Sequence, residues 1–111
     1  MTRKQIKQLD ILWSKAVKER AGYKCEFCLR EDLRLNSCHI VGRRYRGTRW
    51  DLQNGLSLCF PHHAEYDQHG PQAKDIFNNL IGENRYDLLR MRAMEVTRNQ
   101  DFETIKKSLV L

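Results

Sequence analysis

Apolar residues recur at helical spacing along the first twenty positions of the chain. They are Ile6, Leu9, Leu12, Trp13, Ala16 and Val17. This spacing predicts an amphipathic helix over about residues 5–21, and Gly22 favours its C-terminal end. Two further helices are predicted from Ala73 to Ile81 and from Tyr86 to Val96. Together they form a C-terminal helical flank over about 73–97. Their predicted core positions are Ile76, Phe77, Leu80, Leu88, Leu89 and Met91.

The segment between these flanks has a different pattern. Loose alternation of apolar and polar residues over 33–41 predicts a strand ending in Cys38-His39-Ile40-Val41. Residues 42–54 are rich in glycine and arginine and are expected to be a loop. Gly55–Cys59 predicts a second short strand, and Pro61 suits the first turn of a helix that runs towards Asp67. The tail, Phe102–Leu111, is expected to be a short helix or strand. The fold class is therefore predicted to be small α+β.

Length and charge limit the possible classes of protein. The chain has 111 residues, which indicates one domain over 1–111 with a modest core that a staple would stabilise. Its formal net charge of +6 suits a polyanionic partner such as nucleic acid. Neither an apolar signal segment nor a membrane-spanning run is visible, so we expect a cytoplasmic protein with reduced thiols and no membrane partner.

Two short pairs of metal-ligand residues are separated by about thirty positions. Cys25-x-x-Cys28 and Cys59-x-x-His62 each fit a tight turn that aims two side chains at one point. Zn²⁺ takes four such ligands in a tetrahedron, which predicts a structural zinc site with three cysteines and one histidine. Cys38 is the rival fourth ligand, ranked below His62 because it belongs to neither pair. A redox-active dithiol is the alternative for an isolated CxxC.

A second set of residues lies between and beside the zinc pairs. It consists of Cys38-His39-Ile40, Asp51-x-x-Asn54 and Cys59-x-x-His62-His63. This order and spacing resemble the HNH endonucleases with an embedded zinc ribbon, especially small phage and prophage forms, over roughly residues 13–69. The resemblance implies a ββα-metal core with a zinc ribbon at about 22–69. It also implies that His39, Asn54 and His63 take the three signature positions.

The chemistry expected at these three residues follows from phosphodiester hydrolysis. That reaction needs a base to deprotonate water and a cation to stabilise charge at phosphorus. His39 can be the base, His63 can hold the cation, and the Asn54 amide can clamp loop backbone groups. Each residue alone is ordinary, and the joint order favours catalysis. Family members carry Asp or His before the base, where this chain has Cys38, so it stays open whether Cys38 ligates the catalytic Mg²⁺, Mn²⁺, Co²⁺ or Ni²⁺.

Four arginines follow the expected base. Arg43, Arg44, Arg46 and Arg49 are predicted to clamp phosphates, with Tyr45 and Trp50 interleaved and Trp50 equally suited to the core. The predicted partner is double-stranded DNA, nicked one strand per encounter by a monomer, with a dimer left open. His69 is expected to be a surface residue near the site. A non-catalytic zinc-ribbon DNA-binding module and a thiol redox protein are the alternatives.

Overall fold

Helices and a single hairpin make up residues 1–95 and 100–110, which the computed structural model describes. The six α-helices are α1 (Arg3–Arg20), α2 (Arg46–Arg49), α3 (Phe60–Asp67), α4 (Ala73–Leu80), α5 (Gly82–Ala93) and α6 (Phe102–Val110). The two strands are β1 (Leu35–His39) and β2 (Gly55–Cys59), and a 3₁₀ turn at Leu52–Asn54 leads into β2. The α+β class predicted from the sequence is therefore confirmed for this part of the chain.

The N-terminal helix begins at a complete capping box. The Thr2 hydroxyl accepts from the Gln5 amide, and the Gln5 side chain accepts from the Thr2 amide. Leu9, Trp13 and Val17 recur every four residues, are buried, and pack α1 against α6 and the hairpin. Among the described ranges, no helix has both the length and the apolarity required to cross a bilayer.

The hairpin separates two groups of side chains. Its strands are antiparallel, with Cys38 opposite Leu56 and His39 opposite Gly55. Because side chains alternate between the faces of a strand, neighbouring residues point in opposite directions. Cys38 and Leu56 pack into the core shared with α4 and α5, whereas Gly55 lies against Trp13 of α1. Of the last two residues of β1, Cys38 therefore faces this core and His39 faces α1.

The segment between the strands has more structure than the sequence predicts. Within 42–54, where a loop was expected, the chain forms α2 and the 3₁₀ turn. The Asp51 side chain accepts from the Gln53 amide and caps that turn. Strand β1 is also shorter than the predicted 33–41. The Ile40 amide still donates to the Asn54 carbonyl, but the Asn54 amide donates to the Asp51 carbonyl within the 3₁₀ turn, so the pairing ends there.

Helix α4 begins at Ala73 as predicted, whereas α5 differs from the prediction in its bounds and in which residues it buries. Helix α5 begins at Gly82 and not at Tyr86. Leu89 and Ala93, one turn apart, face the core, whereas Leu88 and Met91 are 48% and 68% exposed, so their prediction as core residues is wrong. Helix α5 also ends at Ala93, before the predicted end at Val96, because Met94 caps it. Val96 itself and the last tail residue, Leu111, lie outside the described residues.

Candidate metal centres and active site

The four predicted zinc ligands converge on one point. Cys25 and Cys28 lie in the turn after α1, Cys59 ends β2, and His62 lies in the first turn of α3. The Cys28 and Cys59 sulfurs are 3.9 Å apart, and His62 Nδ1 lies 3.1 Å from Cys59 Sγ and 3.8 Å from Cys25 Sγ. Tetrahedral zinc, with bonds of about 2.0–2.3 Å, sets its donors about 3.5–3.8 Å apart. The cluster can therefore hold a metal ion such as zinc.

The electrostatics of the cluster also suit a cation. Burial alone would raise the pKa of Cys25, but amide groups of Cys28, Cys59 and Phe27, together with the His62 ring, lower that pKa to about 6. Burial and the neighbouring Cys25 sulfur raise the pKa of Cys59 to about 11. The Cys25 thiolate is thus stabilised, whereas a second thiolate at Cys59 is opposed, because two negative charges in one cluster repel each other. A divalent ion would remove that repulsion.

The turn that carries Cys25 and Cys28 is fixed to strand β2. The Leu29 amide donates to the Cys25 carbonyl at 2.8 Å, which closes the turn. The Glu26 amide donates to the Ser57 carbonyl at 2.8 Å, and the Ser57 amide donates to the Glu26 carboxylate at 2.7 Å. These reciprocal bonds hold the first ligand pair beside the end of β2, where Cys59 supplies the third ligand.

A second group of metal-ligand residues lies on the other face of the hairpin. Donor atoms of Cys38, His63 and Asp67 lie within 4.8 Å of one another. The sequence indicated Cys38 and His63 as candidates but missed Asp67. The signal that could have found it is the spacing of four residues on α3, which puts Asp67 one turn after His63. His63 Nε2 and Asp67 Oδ2 are 3.1 Å apart.

Asn36 lies within hydrogen-bond distance of the His63 ring. Its amide nitrogen lies 3.1 Å from His63 Nδ1. A cation at Nε2 requires the lone pair there, so the neutral ring must carry its proton on Nδ1. As placed, the Asn36 nitrogen donates to Nδ1 and the ring proton on Nε2 faces Asp67, so a cation at Nε2 would require the Asn36 amide to turn and accept a proton from Nδ1 through its oxygen. Asn36 is therefore a partner of His63 that the sequence analysis missed.

Cys38 is the most buried member of this second group. Only 1% of its surface is exposed. Burial, together with the negative charge of Asp67, raises the pKa of its thiol to about 12. Cys38 can therefore act as a thiolate ligand only when a cation displaces its proton. His62 lies with Cys25, Cys28 and Cys59 in the first cluster, whereas Cys38, the rival fourth ligand, lies in the second group.

His39, the expected base, ends strand β1. Its Nε2 lies 3.0 Å from the carbonyl oxygen of Arg49, and a carbonyl can only accept, so Nε2 carries the proton. Nδ1 is left with the lone pair. Burial lowers the pKa of His39 below 6.5, although the Arg49 carbonyl opposes that shift. The ring is half-buried and stacks on Trp13, with centroids 3.9 Å apart and planes 9° apart.

Asn54 is completely buried. Its amide nitrogen donates to the carbonyls of Val41 and Thr48 at 2.9 and 3.1 Å, and its oxygen accepts from the Val41 amide at 2.7 Å. The side chain thus ties the start of the arginine-rich segment to α2. This is the backbone-clamping arrangement expected of Asn54, and it leaves no acid–base role for the amide.

The four arginines occupy two different environments. Arg43, Arg44 and Arg46 are exposed, and Arg44 packs over the Tyr45 ring at 4.7 Å. Arg49 instead donates to both carboxylate oxygens of Asp10 on α1, at 3.0 and 2.8 Å. Its guanidinium is occupied by this ion pair, which the sequence analysis did not anticipate.

Trp50 is buried, and its indole donates to the same Asp10 carboxylate at 2.9 Å. Of the two roles left open for Trp50, the core position is the one the structure has. The bidentate pair and this indole together occupy both oxygens of Asp10, so α1 and the segment after β1 are joined by charge-assisted hydrogen bonds.

One cleft joins His39 to the second metal-ligand group. It has a volume of about 760 Å³, and His39 and Asp67 line the same space. Tyr66, His69 and Lys74 also line it, and His69 is exposed with a φ of 53°. No protein-family model, curated protein or solved structure matches the chain. What the site can do therefore follows from these residues.

Proposed function

We propose that the chain is a metal-dependent DNA endonuclease of the HNH type that hydrolyses one phosphodiester bond per encounter. The observation that carries this proposal is the shared cleft. The cleft is lined by His39, whose Nδ1 holds a lone pair, and by Asp67, whose carboxylate lies beside the donor atoms of His63 and Cys38. A base and a cation-binding group around one space are what phosphodiester hydrolysis requires.

The proposed reaction assigns one proton transfer to His39. Nδ1 takes a proton from a water molecule, whose oxygen attacks phosphorus, and the bond from phosphorus to the leaving sugar oxygen breaks. The Nε2–H group remains hydrogen-bonded to the Arg49 carbonyl, which stabilises the positive ring formed in this step. The lowered pKa of His39 keeps the ring neutral and ready to accept a proton near neutral pH.

The second group of ligands fits a divalent cation. When bound, the cation supplies positive charge that stabilises the phosphate and the leaving oxygen. His63, Asp67 and Cys38 would hold it, with Asn36 orienting His63. Imidazole and thiolate donors favour Mn²⁺, Co²⁺ or Ni²⁺ over Mg²⁺, which prefers oxygen ligands.

The exposed arginines support DNA as the substrate. Arg43, Arg44 and Arg46 lie in the segment directly after His39, and the whole chain has a net charge of +6. Guanidinium groups bind phosphate oxygens, so these side chains would hold the backbone beside the cleft. A DNA-binding module without activity would also need the exposed arginines. It would not need a base and a cation-binding group in one cleft.

The decisive experiment is nicking of supercoiled plasmid by purified protein with Mg²⁺, Mn²⁺, Co²⁺ or Ni²⁺. We expect His39→Ala to lower the nicking rate by roughly 10²–10⁴-fold, the usual contribution of a general base. Added imidazole should restore part of that rate by filling the space left by the ring. A folded His39→Ala protein that nicks normally would refute this mechanism.

Controls separate the base from the fold and from binding. The variant should retain one zinc per chain by elemental analysis and should bind a DNA duplex like the wild type in fluorescence anisotropy. Asp32→Asn is a surface control, since among the described residues the Asp32 side chain pairs with the exposed Arg30. Wild-type protein that binds DNA but nicks with none of the four metals would support the non-catalytic module instead.

Cys38 provides a separate test of the cation group. Cys38→Asp replaces a thiol by a carboxylate, which Mg²⁺ prefers, so Mg²⁺-supported nicking should rise relative to Mn²⁺-supported nicking. Cys38→Ser is the control of matched size. A well-folded Cys38→Asp protein with no gain in Mg²⁺ would show that Cys38 is a buried apolar residue and not a ligand.

A further inference from the structure

Helix α1 contacts the proposed base in two ways, although it lies outside the segment that carries the zinc and signature residues. Trp13 covers one face of the His39 ring, with 3.9 Å between centroids and 9° between planes. Asp10, one turn earlier, binds the Arg49 guanidinium, and the Arg49 carbonyl accepts a hydrogen bond from His39 Nε2. We propose that Trp13 and Asp10 are positioning residues that fix the plane and the protonated nitrogen of His39.

Trp13 is itself held in a single orientation. It is 2% exposed, and its indole nitrogen donates to the Asp51 carbonyl at 2.9 Å. Gly55, directly opposite His39, leaves room for the ring, because a Cβ there would lie 2.8 Å from Trp13 Cζ2. The indole therefore forms a rigid wall. The indole blocks movement of the His39 ring towards α1, and tilting the ring would break the stacking contact.

Asp10 acts through the backbone of Arg49. Its carboxylate accepts two bonds from the Arg49 guanidinium and one from the Trp50 indole, which anchors the end of α2. The Arg49 carbonyl is thereby held 3.0 Å from His39 Nε2. An acceptor at this atom keeps the neutral ring protonated on Nε2, so that Nδ1 remains the unprotonated nitrogen.

This inference rests on the proposed function only where it concerns catalysis. The ring tautomer is measurable without any cleavage, by nitrogen NMR of histidine-labelled protein at pH 8.5, where an ordinary imidazole is neutral. We expect His39 in the wild type to show one protonated nitrogen, Nε2. Asp10→Asn should give a mixture of tautomers, because the amide weakens the hold on Arg49. Trp13→Leu should broaden the His39 signals through ring motion.

Nicking kinetics measure the consequence for catalysis. Misplacement of a catalytic group costs on the order of 10²-fold in rate, so we expect kcat to fall about 10- to 100-fold in Trp13→Leu and Asp10→Asn, with KM for DNA nearly unchanged. Trp13→Phe keeps an aromatic face and should retain most of the rate. Leu9→Ala removes a buried α1 side chain of the same core cluster and should lose stability without losing kcat.

The outcomes separate this inference from the proposed function. Wild-type protein that nicks with none of the metals would refute the proposed function, whereas the tautomer measurement would still test the roles of Trp13 and Asp10. If Asp10→Asn and Trp13→Phe fold while Trp13→Leu does not, the first two variants and Leu9→Ala carry the comparison. Unchanged His39 tautomer and kcat within twofold of wild type in the folded Asp10→Asn protein would overturn the inference.

Discussion

Replacing Asn54 by alanine should destabilise the whole domain, because three buried hydrogen bonds depend on its side chain. Two are donated to the carbonyls of Val41 and Thr48, and one is accepted from the Val41 amide. Each such bond contributes about 1 kcal/mol net, and a buried group left unpaired costs about 1–3 kcal/mol. We therefore expect Asn54→Ala to lower the free energy of unfolding by about 3–5 kcal/mol, a large part of the 5–15 kcal/mol typical of domains.

Urea unfolding followed by fluorescence of the two tryptophans measures this loss. With a slope of about 2 kcal/mol per molar urea, the midpoint should fall by about 2 M. Gln53→Ala is the matched control, since Gln53 is the exposed neighbour on the same turn. Asn54→Asp keeps one acceptor but directs a carboxylate at two carbonyls, so it should be no more stable than Asn54→Ala. An Asn54→Ala midpoint within about 0.5 M of the Gln53→Ala midpoint would refute the clamp.

Three further outcomes follow from the same contacts. Removing zinc with a chelator should unfold the domain in circular dichroism, because structural zinc contributes on the order of 10 kcal/mol, and a chelated protein that melts like the untreated one would contradict this. Gly55→Ala should cost about 1–3 kcal/mol in urea unfolding, since its Cβ would collide with Val17 and Trp13, whereas Gly42→Ala, with open space around it, should not. Replacing Arg43 and Arg44 by alanine should reduce the log–log salt slope of DNA binding by about 2, and an unchanged slope would move the interface elsewhere.

The two ligand pairs and strand β2 could be predicted because their geometry is local. Cys25 and Cys28 lie on one tight turn, and Cys59 and His62 on another, so the spacing alone brings each pair together. The apolar spacing of α1 likewise predicted a buried face. The order of His39 and Asn54 in the sequence indicated that both are candidate site residues, although it could not predict which groups they contact.

The remaining features depend on which segments pack together. Asp10 and Arg49 are 39 positions apart, and no spacing rule joins a residue of α1 to one of α2. The stacking of Trp13 on His39 also exists only because α1 covers that face of the hairpin. The same packing places Asp10 against Arg49, which the sequence analysis predicted to bind DNA phosphates. Local turns are fixed by a few neighbouring residues, whereas contacts between distant segments depend on how the whole core packs.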